Sequence, residues 1–385
     1  MKKSPFLLCL LFAGLNVIAQ KPKKVNAINA KTILNSEIKI PFKPERWEFK
    51  SGFVEFIEHK GVSAMKVLPE AGQVVLKDFE FEDGTIEFDI EPQVAAFTGI
   101  YFRRQDSREA ELFYLRMNKA SNPLAIDIAQ YVGIIKGVNM WDLLPHYQNA
   151  ASVKMNEWNH IKLIISGVQM LVYVNNMGKP TLEIPKLEGD VTKGNLAFDG
   201  GSIFANLVVK PNQVEDLASR VGFDPTNHDP RYIRNWQVSQ PNPLPPGQEV
   251  YAEGLAKLDT IKWHNITAER RGLINLTRRY GQGDVRRVAY LKVKLNSKTA
   301  QKKLLKLGFL NEVWVFVNKK TVFVDKNLFP QNMRKIPDGR ISIENASFQI
   351  SLEAGINELI IGIASNFFGW GIIAQLDSME GITIE

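Results

Sequence analysis

Glu87-Phe88-Asp89-Ile90-Glu91 is the stretch whose residue types and spacing come nearest to a catalytic set. Residues two apart on an extended strand share a face, so the three carboxylates line up together. Two carboxyl groups about 5–5.5 Å apart can cleave a glycosidic bond with retention, one as acid/base and the other as nucleophile. Four residues of flat strand separate Cα atoms by roughly 13 Å, so Glu87 and Glu91 need side-chain reach and strand curvature to act together. The plainer reading is that Ile86, Phe88 and Ile90 face a core while the acids face water, as on any half-buried antiparallel strand.

A second candidate is a binding segment from Asp127 to Tyr147, which holds Gln130, Tyr131, Asn139, Trp141, Asp142 and His146. It is too long for a simple hairpin turn, and long loops are uncommon unless they are functional or disordered. Aromatic faces stack on the apolar faces of sugar rings while nearby amides and carboxylates bond the hydroxyls. Asp127, Gln130, Tyr131, Trp141 and His146 supply those types; alternatively, Trp141 plugs the end of a sandwich. Trp370, in Phe367-Phe368-Gly369-Trp370-Gly371, carries the same ambiguity. Its flanking glycines let the backbone turn and expose an indole, whereas three bulky aromatics in four residues also suit a core.

Charge is unevenly spread. The chain is +7 overall, yet residues 25–211 hold 20 Lys+Arg against 23 Asp+Glu, and residues 260–306 hold 13 against 2. Arginine pairs recur every eight residues at Arg270-Arg271, Arg278-Arg279 and Arg286-Arg287. Guanidinium forks suit carboxylate, sulfate or phosphate oxygens. Only one residue of each adjacent pair can share a face, so Arg270, Arg278 and Arg286 are the anion-binding candidates. They could meet an acidic polysaccharide, dock on the acidic first half of the same chain, or simply be solvated.

Other chemistries lack their residues. His59, His146, His160, His228 and His264 show no metal-ligand spacing, and Cys9 is the one cysteine, so no metal site or cofactor is expected. A structural calcium in a sandwich loop stays open. There is no nucleophile-elbow, phosphate-loop or EF-hand pattern. Lys2 and Lys3 precede an apolar run from Phe6 to Val17, and Val17-Ile18-Ala19 follows. This predicts a signal peptide over residues 1–19 and a secreted, periplasmic or cell-surface protein. The run is too short to span a bilayer, and no later stretch does so. Leu8 before Cys9 argues against a lipid anchor. Export also makes nucleic acid a poor partner. Without disulfides, the remaining residues, about 365 of 385, must find stability in large cores.

The elements that must position these candidates are strands. Residues 38–209 read as short strands separated by Glu82-Asp83-Gly84, Ser166-Gly167, Asn175-Asn176-Met177-Gly178 and Asp199-Gly200-Gly201. Ten or more strands without intervening amphipathic helices imply a sandwich. Asn212 and Glu215 predict a capping box and a short helix through Val221, within a linker at 212–232. A second run of strands occupies 233–385, including a hairpin of Val313-Trp314-Val315-Phe316-Val317 with Thr321-Val322-Phe323-Val324 and a closing strand from Gly355 to Gly362.

Two family resemblances follow. Asp83-Gly84-Thr85-Ile86-Glu87-Phe88-Asp89-Ile90, Gly99-Ile100-Tyr101-Phe102-Arg103, Phe113-Tyr114-Leu115-Arg116, Asn156-Glu157-Trp158-Asn159-His160-Ile161-Lys162-Leu163 and Val172-Tyr173-Val174-Asn175 make residues 25–211 resemble the concanavalin A-like lectin/glucanase superfamily. Laminarinase-type members carry their catalytic glutamates as E-x-D-x-E, which places Glu87, Asp89 and Glu91 as candidates. The 3-keto-disaccharide hydrolase type has an N-S-G-V-F-x-R signature, of which Phe97-Thr98-Gly99-Ile100-Tyr101-Phe102-Arg103 keeps the Gly and Arg but not the Asn-Ser pair. That resemblance brings in Tyr101 and Arg103. Residues 233–385 resemble the galactose-binding-like jelly rolls. The expectation is an exported, all-β chain of two tandem antiparallel sandwiches that binds a poly- or oligosaccharide through sandwich-edge loops without catalysis of its own. A glycoside hydrolase, or an adhesion or assembly module binding an acidic macromolecule, are the alternatives.

Overall fold

The computed structural model describes residues 36–122, 124–329, 332–365 and 367–385. The expected signal peptide, its cleavage after Ala19, and Cys9 lie outside the described residues.

The described chain is all-β, with one short α-helix, Leu276–Tyr280, among those residues. Two sheets form the first sandwich. The back sheet runs, in spatial order, Leu182–Ile184, Gln169–Val174, Asn159–Ser166, Gly84–Pro92, Ser202–Pro211, Val62–Val67 and Val54–His59. The front sheet runs Val138–Asn139, Ala129–Ile135, Ala110–Arg116, Phe97–Arg104, Asn195–Asp199, Val74–Leu76 and Trp47–Glu48. Between them Phe198 stacks on Phe204 at 4.3 Å and meets Phe88 edge-on at 5.1 Å. Ile86, Phe88 and Ile90 are fully buried there, as alternation on a half-buried strand requires.

The second sandwich pairs a sheet ordered His264–Thr267, Asn235–Val238, Arg287–Ser297, Gly355–Ser365, Asn311–Val317 and Lys320–Asn327 with a four-stranded sheet. The latter runs Leu273–Asn275, Gly371–Leu376, Gln301–Phe309 and Ala346–Leu352. The hairpin joins Asn311–Val317 to Lys320–Asn327, with Trp314 opposite Val324. All seven residues of Asn311–Val317 are buried. Val313 and Val315 face the inner core, whereas Trp314 and Phe316 pack under Leu244, Val250, Leu255 and Leu258 on the outside. A strand covered on both faces reads as continuous apolar sequence rather than alternation.

The helix expected after Asn212 does not form. Turns and bends occupy 212–221, and Asn212, Glu215 and Asp216 take φ of 59°, 46° and 64°, outside the helical region. The segment is held down rather than tethering freely: the Gly222 amide donates to the Pro185 carbonyl at 2.8 Å, and that of Val168 to Ser219 at 3.0 Å.

Trp370 is core, not an exposed indole. It is fully buried, donates from Nε1 to the Ile363 carbonyl at 3.3 Å, and lies beneath the Arg287 guanidinium at 4.9 Å. Truncating a buried aromatic costs the lost transfer energy plus a cavity. Trp370→Ala should therefore lower stability by about 3–5 kcal/mol in urea denaturation; a loss below about 1 kcal/mol would place the indole outside the core.

Candidate functional site

A groove of about 760 Å³ lies where the outer face of the front sheet meets the second sandwich. Alternation builds its floor: Phe97, Gly99 and Tyr101 project from one strand, and Leu112, Tyr114 and Arg116 from its neighbour. The antiparallel register sets Phe97 against Arg116, Gly99 against Tyr114 and Tyr101 against Leu112. A Cβ at Gly99 would run into the Phe113 carbonyl and the Tyr114 backbone, so glycine permits the close approach of the two strands there. Phe97 is 56 % exposed, its ring edge-on to Tyr114 at 5.8 Å. Trp141 closes one side, held edge-to-face by Phe329 at 4.8 Å and Phe368 at 5.9 Å. Arg334, Asp338 and Arg340 complete that wall.

The polar groups around the groove converge on Asp127. Its carboxylate accepts from Lys119 Nζ and from Arg340 Nη2, each at 2.7 Å, with Arg116 Nε at 3.9 Å. Burial alone would raise this carboxyl, but the bonds from Lys119 and Arg340 outweigh it and hold it below the usual range. Arg116 also donates to the Asp127 carbonyl and to the Tyr114 hydroxyl, both at 2.8 Å, and to Gln130 Oε1. Gln130 in turn donates to the Trp141 carbonyl at 3.0 Å. On the far side Tyr101 is pushed up to about 12, first by burial and then by the neighbouring Asp199.

Asp142 fastens the two sandwiches together beside the groove. Both carboxylate oxygens lie 3.1 Å from the Gly369 amide, and its own carbonyl accepts from the Ile341 amide at 2.9 Å. Any Cβ at position 369 would strike that carboxylate, so glycine permits the approach. Burial pushes the Asp142 carboxyl up to about 7, with the Gly369 N–H opposing.

Several sequence-predicted residues are not where a ligand could meet them. Arg103 is buried: a φ of 49° turns it out of the strand's alternation, and it donates to the Glu82 and Gly167 carbonyls at 2.8 Å and to Asp83 at 2.7 Å. Tyr131 is fully buried, donating at 2.7 Å to Glu111, whose carboxyl burial pushes up to about 8. Gln130 and Asp127 are buried supports behind Arg116 rather than contact residues. His146 lies in a separate cavity of about 190 Å³ with Arg270, and burial pushes its imidazole below the usual value. Of that set, Tyr101 and Trp141 line the groove.

The anion-binding arginines are engaged within the chain. Arg270 donates to the Gly222 and Phe223 carbonyls at 3.0 and 2.7 Å. Arg278 pairs with Glu269 and, on the first sandwich, with Asp190 and the Glu188 carbonyl. Arg286 forks onto Glu312 at 2.8 and 3.0 Å.

Glu87, Asp89 and Glu91 belong to the back sheet, away from the groove. Burial would raise all three carboxyls. Bonds from Lys210 to Glu87, from His160 and Asn206 to Asp89, and from Lys60 and His59 to Glu91 outweigh it and hold each below its usual value. A general acid for glycoside cleavage needs the opposite shift. Among the described residues, no group of three or more His, Cys, Asp or Glu is arranged to hold a metal.

The sequence reading missed Phe97, Tyr114, Arg116, Lys119 and the whole contribution of the second sandwich. Alternation in Phe113-Tyr114-Leu115-Arg116 was a usable signal for Tyr114 and Arg116 sharing a face. Nothing local marks Phe329, Arg334 or Arg340, and in Phe367-Phe368-Gly369-Trp370-Gly371 the residue at the groove is Phe368 rather than Trp370.

No family model matches the chain, and no curated protein matches it. Solved structures are similar at a distance. A carbohydrate-binding module from Bacillus subtilis is 11% identical over 43% of this chain and 96% of its own, with a TM-score of 0.33. A β-glucanase from Bacillus licheniformis is 11% identical over 46% and 98%, at 0.32. A family 35 carbohydrate-binding module from an environmental isolate is 21% identical over 25% and 70%, at 0.20.

The Asp142 clasp gives a pH test. Unfolded, this carboxyl titrates at its ordinary 3.8; folded, at about 7. Between those values the folded chain holds a proton that the unfolded chain has released, so this group's share of stability falls as pH rises through the window. Asp142→Asn removes that slope. Its stability relative to the parent should climb by on the order of 2–4 kcal/mol from pH 4 to pH 7. Parallel denaturation profiles for the two proteins would show the carboxyl to be unperturbed.

Proposed function

We propose that this chain binds an oligosaccharide in the groove between its two sandwiches, as an exported carbohydrate-binding protein that does not act through Glu87, Asp89 or Glu91. The observation that carries this reading is the groove's combination of walls and floor. Phe97, Tyr114 and Trp141 offer ring faces or edges, and Arg116, Lys119, Asp338 and Arg340 stand among them. Stacking takes the apolar face of a pyranose, while fixed charged groups bond its hydroxyls. A mostly apolar concavity of several hundred Å³ with a few convergent polar groups is the usual form of a small-ligand site.

The supports are buried and mutually bonded, so the wall is set before a ligand arrives. Gln130 holds the Trp141 carbonyl, and Asp127 gathers Lys119 and Arg340. Preorganisation of this kind spares the ligand an ordering cost. Hydrolysis through the back-sheet acids would need a substrate on the other face of the sandwich, against carboxylates already committed to lysine and histidine.

Phe97 is the clean test because it is exposed and carries little of the core. Isothermal titration against a panel of neutral and acidic oligosaccharides should find at least one ligand, and Phe97→Ala should weaken it by about tenfold, near the value of one stacked ring. Its melting temperature should stay within about 2 °C of the parent, as for most exposed substitutions. Absence of binding across the panel, or binding indifferent to Phe97→Ala, would remove the reading.

A further inference from the structure

We infer that the groove selects an anionic sugar, carboxylated or sulfated, over a neutral one of the same size. This inference rests on the groove being the glycan site and goes further by naming the ligand's charge. Four cations line it, Arg116, Lys119, Arg334 and Arg340, against the carboxylates of Asp199 and Asp338, with Asp127 behind. The pairing inside the groove is lopsided. Asp127 serves Lys119, Arg340 and Arg116 at once, while Asp338 stands 3.6 Å from both Lys119 and Arg340.

Two guanidinium groups are left with unused donors. Arg340 is 3 % exposed, and its Nε is buried with no hydrogen-bond partner among the described residues. Leaving such a donor unpaired carries a desolvation penalty. Arg334 is exposed at the rim, its guanidinium 5.9 Å from the Phe329 ring centre, and no carboxylate pairs with it among the described residues. A neutral sugar covering Arg334 would strip its water without returning a charge. A carboxylate or sulfate entering beside Trp141 would meet the Arg334 fork and share the field of Lys119 and Arg340. Charge-assisted bonds of that kind are about twice as strong as neutral ones. The rings of Phe97 and Tyr114 on the floor are what favour a sugar as the carrier of that anion over a peptide.

The probes are a neutral xylohexaose, an oligogalacturonate of similar length, a sulfated carrageenan oligosaccharide and hexaglutamate, titrated into the full chain. The inference expects one of the acidic sugars to bind about tenfold or more tighter than xylohexaose. It expects that advantage to shrink severalfold between about 20 and 300 mM NaCl, as screening requires. Arg334→Ala should cut the acidic sugar's affinity by about tenfold and flatten its salt dependence, with Arg334→Lys recovering part of the loss. Which acidic sugar wins tells carboxylate from sulfate. Xylohexaose bound as tightly as either, and still weakened by Phe97→Ala, overturns the charge preference while leaving the glycan site standing. Hexaglutamate bound as tightly as the acidic sugars overturns it in favour of a peptide. No sugar bound at all overturns both readings.

Discussion

Everything useful in this molecule depends on two aspartates of the first sandwich that are bonded by the second. Asp142 receives the Gly369 amide, and Asp127 receives Arg340. Both are buried, and a buried carboxylate left without its partners is costly. Each sandwich therefore completes the other's polar accounting, which opposes sliding or rotation at the junction. Together with the Arg278 bridge to Asp190 and the packing of Leu310, Ile341 and Ile373 into the first core, these bonds fix Phe329, Arg340 and Phe368 relative to Trp141.

The same logic explains where the charges went. The basic second half and the faintly acidic first half suggested a patch awaiting an anion. Arg278 instead crosses to Asp190 and Glu188, and Arg286 is satisfied by Glu312 inside its own sandwich. On the back sheet, neighbouring strands pair Glu87 with Lys210 and Asp89 with His160, the sheet's equivalent of helical i,i+4 pairs, while Glu91 takes His59 and Lys60 from the edge. Charge that reads as functional in sequence is here mostly consumed by structure. What remains among the groove's cations is Arg334, with no carboxylate pairing it among the described residues, and the unbonded Nε of Arg340.

Period-two alternation serves two purposes on the front sheet. Inward residues such as Ile100, Phe102, Phe113 and Leu115 fill the first core. The outward set on the same strands, Phe97, Tyr101, Tyr114 and Arg116, would be an exposed apolar patch on an isolated sandwich. The second sandwich covers part of it, with Leu112 and Tyr114 packed toward Phe329, Phe367 and Phe368. The uncovered remainder is the groove. A sheet with one face in a core and the other shared between a partner and a cavity needs aromatic residues on both faces, and these strands carry them.

Strand composition and turn punctuation were enough to read two all-β halves and the hairpin around Trp314, because alternation and turn chemistry are local properties of the chain. Local sequence also named Trp141, and the family resemblance Tyr101, two of the groove's rings. It left Trp370 open between core and rim, and misplaced Arg103. Three aromatics within four residues look alike in a core and at a rim, and one positive φ at Arg103 redirects a side chain that alternation would have sent outward. The short helix after Asn212 failed for a related reason: neighbouring residues donate to the segment's carbonyls, Thr85 to Gln213 and the Val168 amide to Ser219, and Lys162 takes the Glu215 carboxylate that the capping pattern needs. The groove itself could be decided only by tertiary structure. The residues that meet there are far apart in the chain, Asp127 and Arg340 by 213 positions and Asp142 and Gly369 by 227, and each buried donor or acceptor at the junction had to find its partner across that distance.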